Sequence, residues 1–285
     1  MDFMAMLREE RRKAGLVAAA GSSKVSDRAV EVTAASKSKE ERAAADPKPT
    51  ETVPIDFPPF KHTVLAGATN AVLARDGLEA FRVHAASGLR DVWYIPNFCT
   101  VEEHDDMLEQ TYSKAASWKD IRSRRLQCYR EPEMPPWLDT LASSLVQAGI
   151  FSPAQRPNHA LLNEYEPGQG ILGHTDGPVY HSLVACISLG SPATFRFTER
   201  LLTDEIGVRE ARELATLLLQ PRSLVVFAAD AYREALHSVP ALLEEVVSAD
   251  VANIEAAQAS VGDRIPRTTR VSITMRTEVV APSPK

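Results

Sequence analysis

In the stretch GHTDGP a histidine and an aspartate, His174 and Asp176, stand two residues apart. In an extended strand, residues i and i+2 project to the same face, so an imidazole and a carboxylate can sit side by side. His237, in the strand-like segment EALHSVP, can supply a third ligand from a neighbouring strand. Two histidines and one carboxylate on one face form a facial set for Fe(II), with positions left open for a co-substrate and dioxygen. Zinc accepts the same three ligands and would activate water. Taken alone the pattern is weak, because such spacing arises by accident and a lone histidine is more often structural than a ligand.

The segment RVSITMR separates the two metals. At a period of two, Arg270, Ser272, Thr274 and Arg276 share one face, and Val271, Ile273 and Met275 share the other. The plainer reading is an amphipathic edge strand with a wet face. The sharper one is a cradle for a dicarboxylate, because guanidinium forks match carboxylates bidentately. A dicarboxylic acid that chelates iron through one end needs such a clamp at the other, and 2-oxoglutarate is that kind of molecule. In LLNEYEPGQG, Leu161, Asn163 and Tyr165 share a face of the strand leading to His174, so Asn163 and Tyr165 can bond the same ligand. Alternatively they are a turn-side amide and a core tyrosine whose hydroxyl finds a local partner.

The elements that must position these groups are legible in outline. After residue 158 come short segments rich in Val, Leu, Phe and Thr: NHALLNEYE, HSLVACISL, ATFRFTE, TLLLQ, SLVVFAAD, ALHSVP and TRVSITMRT. With their Gly and Pro punctuation they predict a barrel or sandwich core. DVWYIPNF is an earlier strand. Two helices precede the core. One is capped by Thr100 and Glu103 in a capping box, and the other starts at Pro136 and stops at Gly149. Residues 241–266 read as an insertion between two core strands.

Composition bounds the rest. The 285 residues suffice for one domain with extra material, and 44% hydrophobic and 25% charged residues are ordinary for a globular chain. A net charge of -6 argues against a generally basic nucleic-acid binder, though not against a local basic patch. The three cysteines, Cys99, Cys128 and Cys186, form no CxxC pair, which fits a reducing intracellular location in nucleus or cytoplasm. No apolar run is long enough for a membrane span, and no secretory segment is evident. Residues 1–55, rich in Ser, Ala, Lys, Glu and Pro, predict a disordered tail, with a short amphipathic helix allowed at 1–20.

The combination N-x-Y-x-P-G, H-x-D, a distant His and a final R-x(5)-R strand resembles the AlkB family of Fe(II)/2-oxoglutarate dioxygenases. NEYEPGQGILGHTDGPVY, ISLGSPATF, PRSLVVF and TRVSITMR are most similar to the sixth eukaryotic AlkB-homologue branch, and YIPNF and PPWLD fit it too. The resemblance implies a mostly β (α+β) fold: a double-stranded β-helix, or jelly roll, over residues 78–281, with helices packed on one sheet. It implies Fe(II) held by His174, Asp176 and His237. The co-substrate 2-oxoglutarate would be bound by Asn163, Tyr165 and Arg270, with Arg276 near its chelating carboxylate, Ser272 and Thr274 in the wall and Ile171 lining the pocket. Ser272 departs from the bacterial pattern, where an Asn is usual. The implied reaction consumes O2, releases succinate and hydroxylates a C–H bond. An N-methyl group so treated leaves as formaldehyde.

The substrate is less constrained. Family members that act on nucleic acid take a flipped base under lid loops. The corresponding segment here is 117–132; between 119 and 130, Lys119, Arg122, Arg124, Arg125 and Arg130 face one acid, Asp120. Trp118, Gln127 and Tyr129 accompany them, and the aromatics can stack on bases of single-stranded or alkylated DNA or RNA. A solvated loop anchored by two aromatics is the plainer alternative. Demethylation or repair of nucleic acid is therefore the leading expectation. The same chemistry on a protein side chain or small metabolite, and a nucleic-acid-binding adaptor of low turnover, stand beside it. His104, His159 and His181 show no partner pattern and read as structural or surface residues.

Overall fold

The structure, a computed structural model, describes residues 57–66, 77–114, 116–201 and 210–279. The tail at 1–55 and its helix at 1–20 lie outside the described residues. The strands are β1 (Val92–Ile95), β2 (Lys119–Ile121), β3 (Arg124–Arg130), β4 (His159–Tyr165), β5 (Ile171–His174), β6 (Tyr180–Gly190) and β7 (Ala193–Glu199). They continue with β8 (Glu213–Leu219), β9 (Leu224–Ala228), β10 (Ala235–Val239), β11 (Glu244–Val246), β12 (Arg264–Pro266) and β13 (Arg270–Glu278). The helices are α1 (Val101–Thr111), α2 (Pro136–Gln147) and the short α3 (Ala229–Arg233). No described helix is long and apolar enough to cross a membrane.

Two antiparallel sheets carry the fold. The larger runs β1-β9-β6-β13-β4-β3-β2 and the smaller β5-β10-β7-β8. Side chains alternating along each strand sort into two cores, as period-two patterning requires. Val184, Cys186, Val225 and Phe227 of the large sheet pack with Ile171, Phe195, Phe197, Leu217 and Val239 of the small one. The opposite face of the large sheet buries Ala160, Leu162, Ala185, Ile187, Val271, Ile273 and Met275 against the helices. The result is a double-stranded β-helix with helices on one sheet.

The helices form where the sequence places them. Thr100 accepts from the Glu103 amide at 3.2 Å, and the Glu103 carboxylate accepts from the Thr100 amide at 2.8 Å. Together the two bonds satisfy two donors a free helix start would leave orphaned. α2 begins on Pro136 and ends before Gly149, whose φ of 71° suits glycine. Its Trp137, Leu138, Leu141 and Leu145 are buried, each contributing about 1.5–3 kcal/mol relative to exposure. Phe60 and Leu65 join the same core: Leu65 is buried, and the Phe60 ring lies 6.4 Å from Trp137.

The insertion at 241–266 is built into the fold. It contributes the β11–β12 hairpin, and its Val251 bridges Thr216 on the open edge of the small sheet. Asn253 reads both backbone groups of Leu218, each at 2.9 Å.

Candidate active site

The register of the large sheet explains which side chains meet. Crossing β3, β4, β13 and β6, one row is Leu126, Asn163, Ser272 and Ser188; the next on the same face is Cys128, Leu161, Thr274 and Cys186; a third is Arg130, His159, Arg276 and Val184. All lie on the face turned toward the small sheet. β13 is a central strand, flanked by β4 and β6, so its polar face is interior and the edge-strand reading does not hold.

β5 and β10 of the small sheet pair antiparallel with His174 opposite His237, which puts the two imidazoles within 4.3 Å of each other, centre to centre. Asp176 follows two residues after His174. One potential ligand atom from each of His174, Asp176 and His237 lies within 4.8 Å of the others. With its proton on Nδ1, His174 donates to the Leu172 carbonyl at 2.8 Å and keeps Nε2 for a ligand. His237 is wedged between the Phe195 ring, stacked at 5.6 Å, and the Phe227 ring at 4.9 Å.

Electrostatics suits a cation here. Burial, then His237, holds the His174 imidazole below its ordinary pKa, and burial does the same for His237, so both present neutral nitrogens at physiological pH. Burial opposes ionisation of Asp176, but Arg276 and then His237 overcome it and keep the carboxyl below its usual value. Among the described residues, Asp176 Oδ2 and His237 Nδ1 are buried and have no hydrogen-bond partner. A buried carboxylate oxygen left so is costly unless a cation takes it. These residues fit Fe(II).

The same test holds for the co-substrate. Arg270 is 2% exposed, its guanidinium lies 5.5 Å over the Tyr165 ring, and its Nη2 donates to Ser188 Oγ at 2.9 Å. Among the described residues no carboxylate pairs with it, and its Nε has no partner. A buried guanidinium so placed calls for an anionic ligand. Arg276 is equally buried. Its Nη1 donates to Asp176 Oδ1, its guanidinium sits 4.2 Å over the Tyr180 ring, and its Nε is left over. Asn163 and Ser272 line the same face, Thr274 donates to Cys186 Sγ at 3.6 Å, and Ile171 closes the pocket from β5.

His159, read from sequence as structural or surface, is fully buried in this wall. Its Nδ1 lies 3.5 Å from Arg276 Nη2, and its Nε2 is 3.3 Å from Cys128 Sγ and 3.4 Å from the Tyr180 hydroxyl. Burial, then Arg276, depresses its pKa to about 2. The signal was available, since His159 is two strand periods before Asn163. Tyr232, which donates to the Gly177 carbonyl at 2.5 Å and braces the loop after Asp176, had no such signal.

The segment read as a lid loop is instead the β2–β3 hairpin at the edge of the large sheet. Alternation divides its side chains. Arg125, Gln127 and Tyr129 point to the helix side. Arg125 pairs with Glu164 and covers the Trp118 ring at 4.7 Å, Gln127 is buried and donates to the Thr111 carbonyl at 3.0 Å, and Tyr129 packs on the helix-side core. Trp118, Arg125, Gln127 and Tyr129 are thus committed away from the site rather than presented to a ligand. Arg122 is exposed at the turn. Arg124 points inward, is 1% exposed, and donates from Nε to Asn163 Oδ1 at 2.8 Å. It belongs to the pocket wall, not to a lid.

A jelly roll carrying two histidines, one carboxylate and two interior arginines defines an Fe(II)/2-oxoglutarate dioxygenase. The model of the 2OG-Fe(II) oxygenase superfamily matches residues 100–276, and the chain belongs to that superfamily and, within it, to the AlkB family. It is 35% identical over 198 residues to a Danio rerio protein described as "Probable RNA/DNA demethylase ALKBH6", covering 65% of this chain and 84% of that one. It is 26% identical over 211 residues to "Uncharacterized protein L905" of Acanthamoeba polyphaga mimivirus, covering 69% and 89%. The solved structure titled "The structure of OsALKBH1" aligns with a TM-score of 0.44 and 16% identity, covering 66% of this chain and 99% of that one.

Proposed function

We propose that this dioxygenase removes alkyl groups, methyl foremost, from DNA or RNA. The carrying observation is the site-facing side of the β2–β3 hairpin. Lys119, exposed, stands in the row of Leu126 and Asn163, while Arg130, in the row of Arg276, is paired with Glu278 at 2.8 Å. Lys119, with the exposed Arg122 at the turn, puts positive charge on the hairpin edge that a phosphate backbone would approach. The description of the Danio rerio relative supports the same substrate class.

His174, Asp176 and His237 would hold Fe(II), and Arg276 holds the Asp176 carboxylate through Oδ1. Arg270 takes the distal carboxylate of 2-oxoglutarate while Asn163 and Tyr165 fix its body. Phe195 and Phe227 keep the rear of the centre dry. When bound, the iron and co-substrate supply oxidation of a substrate C–H bond by O2, coupled to decarboxylation of 2-oxoglutarate to succinate. A hydroxylated N-methyl group then breaks its C–N bond, with the hydroxyl proton moving to nitrogen and formaldehyde leaving. Nucleus or cytoplasm is the compartment such a substrate implies.

The test is succinate release by the full chain with Fe(II), ascorbate, O2 and 2-oxoglutarate, using His174→Ala as blank. Methylated single-stranded DNA or RNA should raise the release, and mass spectrometry should show the demethylated nucleoside. Release above the blank that ignores every oligonucleotide would move the chemistry to a protein or metabolite. No release above the blank would favour the adaptor.

A further inference from the structure

Arg124 is the hairpin residue whose place differs most from its sequence context. It follows the exposed turn residues Arg122 and Ser123, yet its side chain is 1% exposed and meets Asn163, itself 4% exposed, across the β3–β4 pair. Its Nε–H donates to Asn163 Oδ1 at 2.8 Å, and its Nη1 reaches Ser123 Oγ at 3.3 Å.

We propose that Arg124 is a positioning residue for the co-substrate, locking the Asn163 amide so that only its NH2 edge faces the pocket. A guanidinium donates and never accepts, so it engages the amide oxygen and selects one of the two amide orientations. The remaining edge of Asn163 is then a pure donor. The ligand that Arg270 calls for is an anion whose oxygens accept. A flipped amide would set Oδ1 against a carboxylate and NH2 against a guanidinium, two repulsive contacts in place of two attractive ones. Both side chains are buried, where such mismatches are most costly. Preorganising one donor in this way lowers the cost of fixing the co-substrate body. Sequence patterning could not separate Arg124 from Arg125; the alternation of β3 sends one to the pocket and the other to Glu164.

The proposal rests on the reading that Asn163 contacts 2-oxoglutarate, and a double-mutant cycle separates the two. The measurement is calorimetric titration of 2-oxoglutarate into the Mn(II)-loaded full chain, for wild type, Arg124→Met, Arg124→Lys, Asn163→Ala and Arg124→Met with Asn163→Ala. Mn(II) affinity of each variant reports whether the His174, Asp176 and His237 centre is intact. Arg124→Met should weaken 2-oxoglutarate about tenfold, the size of one charge-assisted hydrogen bond, with Mn(II) affinity unchanged. Arg124→Lys should recover part of the loss. The double variant should bind within about twofold of Asn163→Ala alone, because Arg124 acts through Asn163. In the succinate assay Arg124→Met should raise KM for 2-oxoglutarate about tenfold and leave kcat within about twofold. Wild-type binding by Arg124→Met beside weakened Asn163→Ala would overturn the proposal, as would fully additive losses. Unchanged binding by Asn163→Ala would instead overturn the reading of Asn163. If Arg124→Met does not fold, the Arg124→Lys row of the same cycle decides.

Discussion

The chemistry of the centre depends on a few side chains that hold other side chains. Arg276 donates to Asp176 Oδ1 and leaves Oδ2 as the oxygen that would meet a metal. Lysine cannot reproduce its fork, its contact with Asp176 and its stacking on Tyr180 together. Arg276→Lys should therefore cost about 10–100-fold in Mn(II) affinity, measured by direct titration, as removal of outer partners of metal ligands generally does. His159 makes a second prediction at this scale. Its folded pKa is about 2, against an ordinary value near 6.5 in the unfolded chain. The folded pKa is depressed, so the unfolded state binds more protons below pH 6.5, and stability falls as pH drops through that point towards about 2. Each unit of pH in that window costs about 1.4 kcal/mol for this one group. The urea midpoint of the metal-free protein should decline from pH 7 to pH 5, and His159→Gln should decline less steeply.

At the scale of elements, strand alternation and sheet order decide what each residue can do. Gly190 ends β6 where it lies against the start of β13. It has a φ of 78°, and a Cβ built there would stand 2.4 Å from the Thr269 carbonyl oxygen, beside Arg270. Gly190→Ala should destabilise the protein by about 2 kcal/mol or more in urea unfolding, because an L side chain is strained in that conformation and the Thr269 backbone must retreat from the new Cβ. It should also weaken 2-oxoglutarate by displacing Arg270. In the β2–β3 hairpin Lys119 and Arg122 are exposed, whereas Arg125 pairs with Glu164 and Gln127 donates to the Thr111 carbonyl. Reversing both, Lys119→Glu with Arg122→Glu, should weaken single-stranded oligonucleotide binding about tenfold at low salt and leave KM for 2-oxoglutarate unchanged. Arg125→Glu would instead set two carboxylates together at Glu164 and report on stability more than on binding.

For the whole molecule, the insertion at 241–266 matters most. Glu245, 1% exposed, pairs with Arg267 and accepts from Thr194, and Arg267 also donates to the Pro240 carbonyl at 2.8 Å and the Gln169 carbonyl at 3.3 Å. One buried ion pair thus ties the inserted hairpin, the small sheet and the loop leading into β5, which carries His174. Removing one member leaves a buried charge uncompensated. Glu245→Ala should cost about 3–5 kcal/mol, measured by denaturant unfolding, and lower Mn(II) affinity through the loop. Mn(II) affinity unchanged in the folded fraction would show that the tie serves stability alone.

What the sequence by itself determined were features carried by local rules. Strand alternation places Arg270, Ser272, Thr274 and Arg276 on one face, the capping box starts α1, Pro136 and Gly149 bound α2, and the spacing of His174 to Asp176 suits one metal. Each follows from steric periods or from hydrogen bonds between near neighbours, so a few residues suffice to state it. Only the tertiary structure decided matters of pairing and burial. It made β13 central, so that its polar face became a pocket rather than a wet edge. It turned the basic 117–132 segment into an edge hairpin, sending Arg125 to the helices and Arg124 to Asn163. It brought His159 of β4 beside Arg276 of β13, and the 241–266 insertion onto the open edge of β8. Register between strands distant in sequence is set by which faces can be buried together, and no local pattern contains that information.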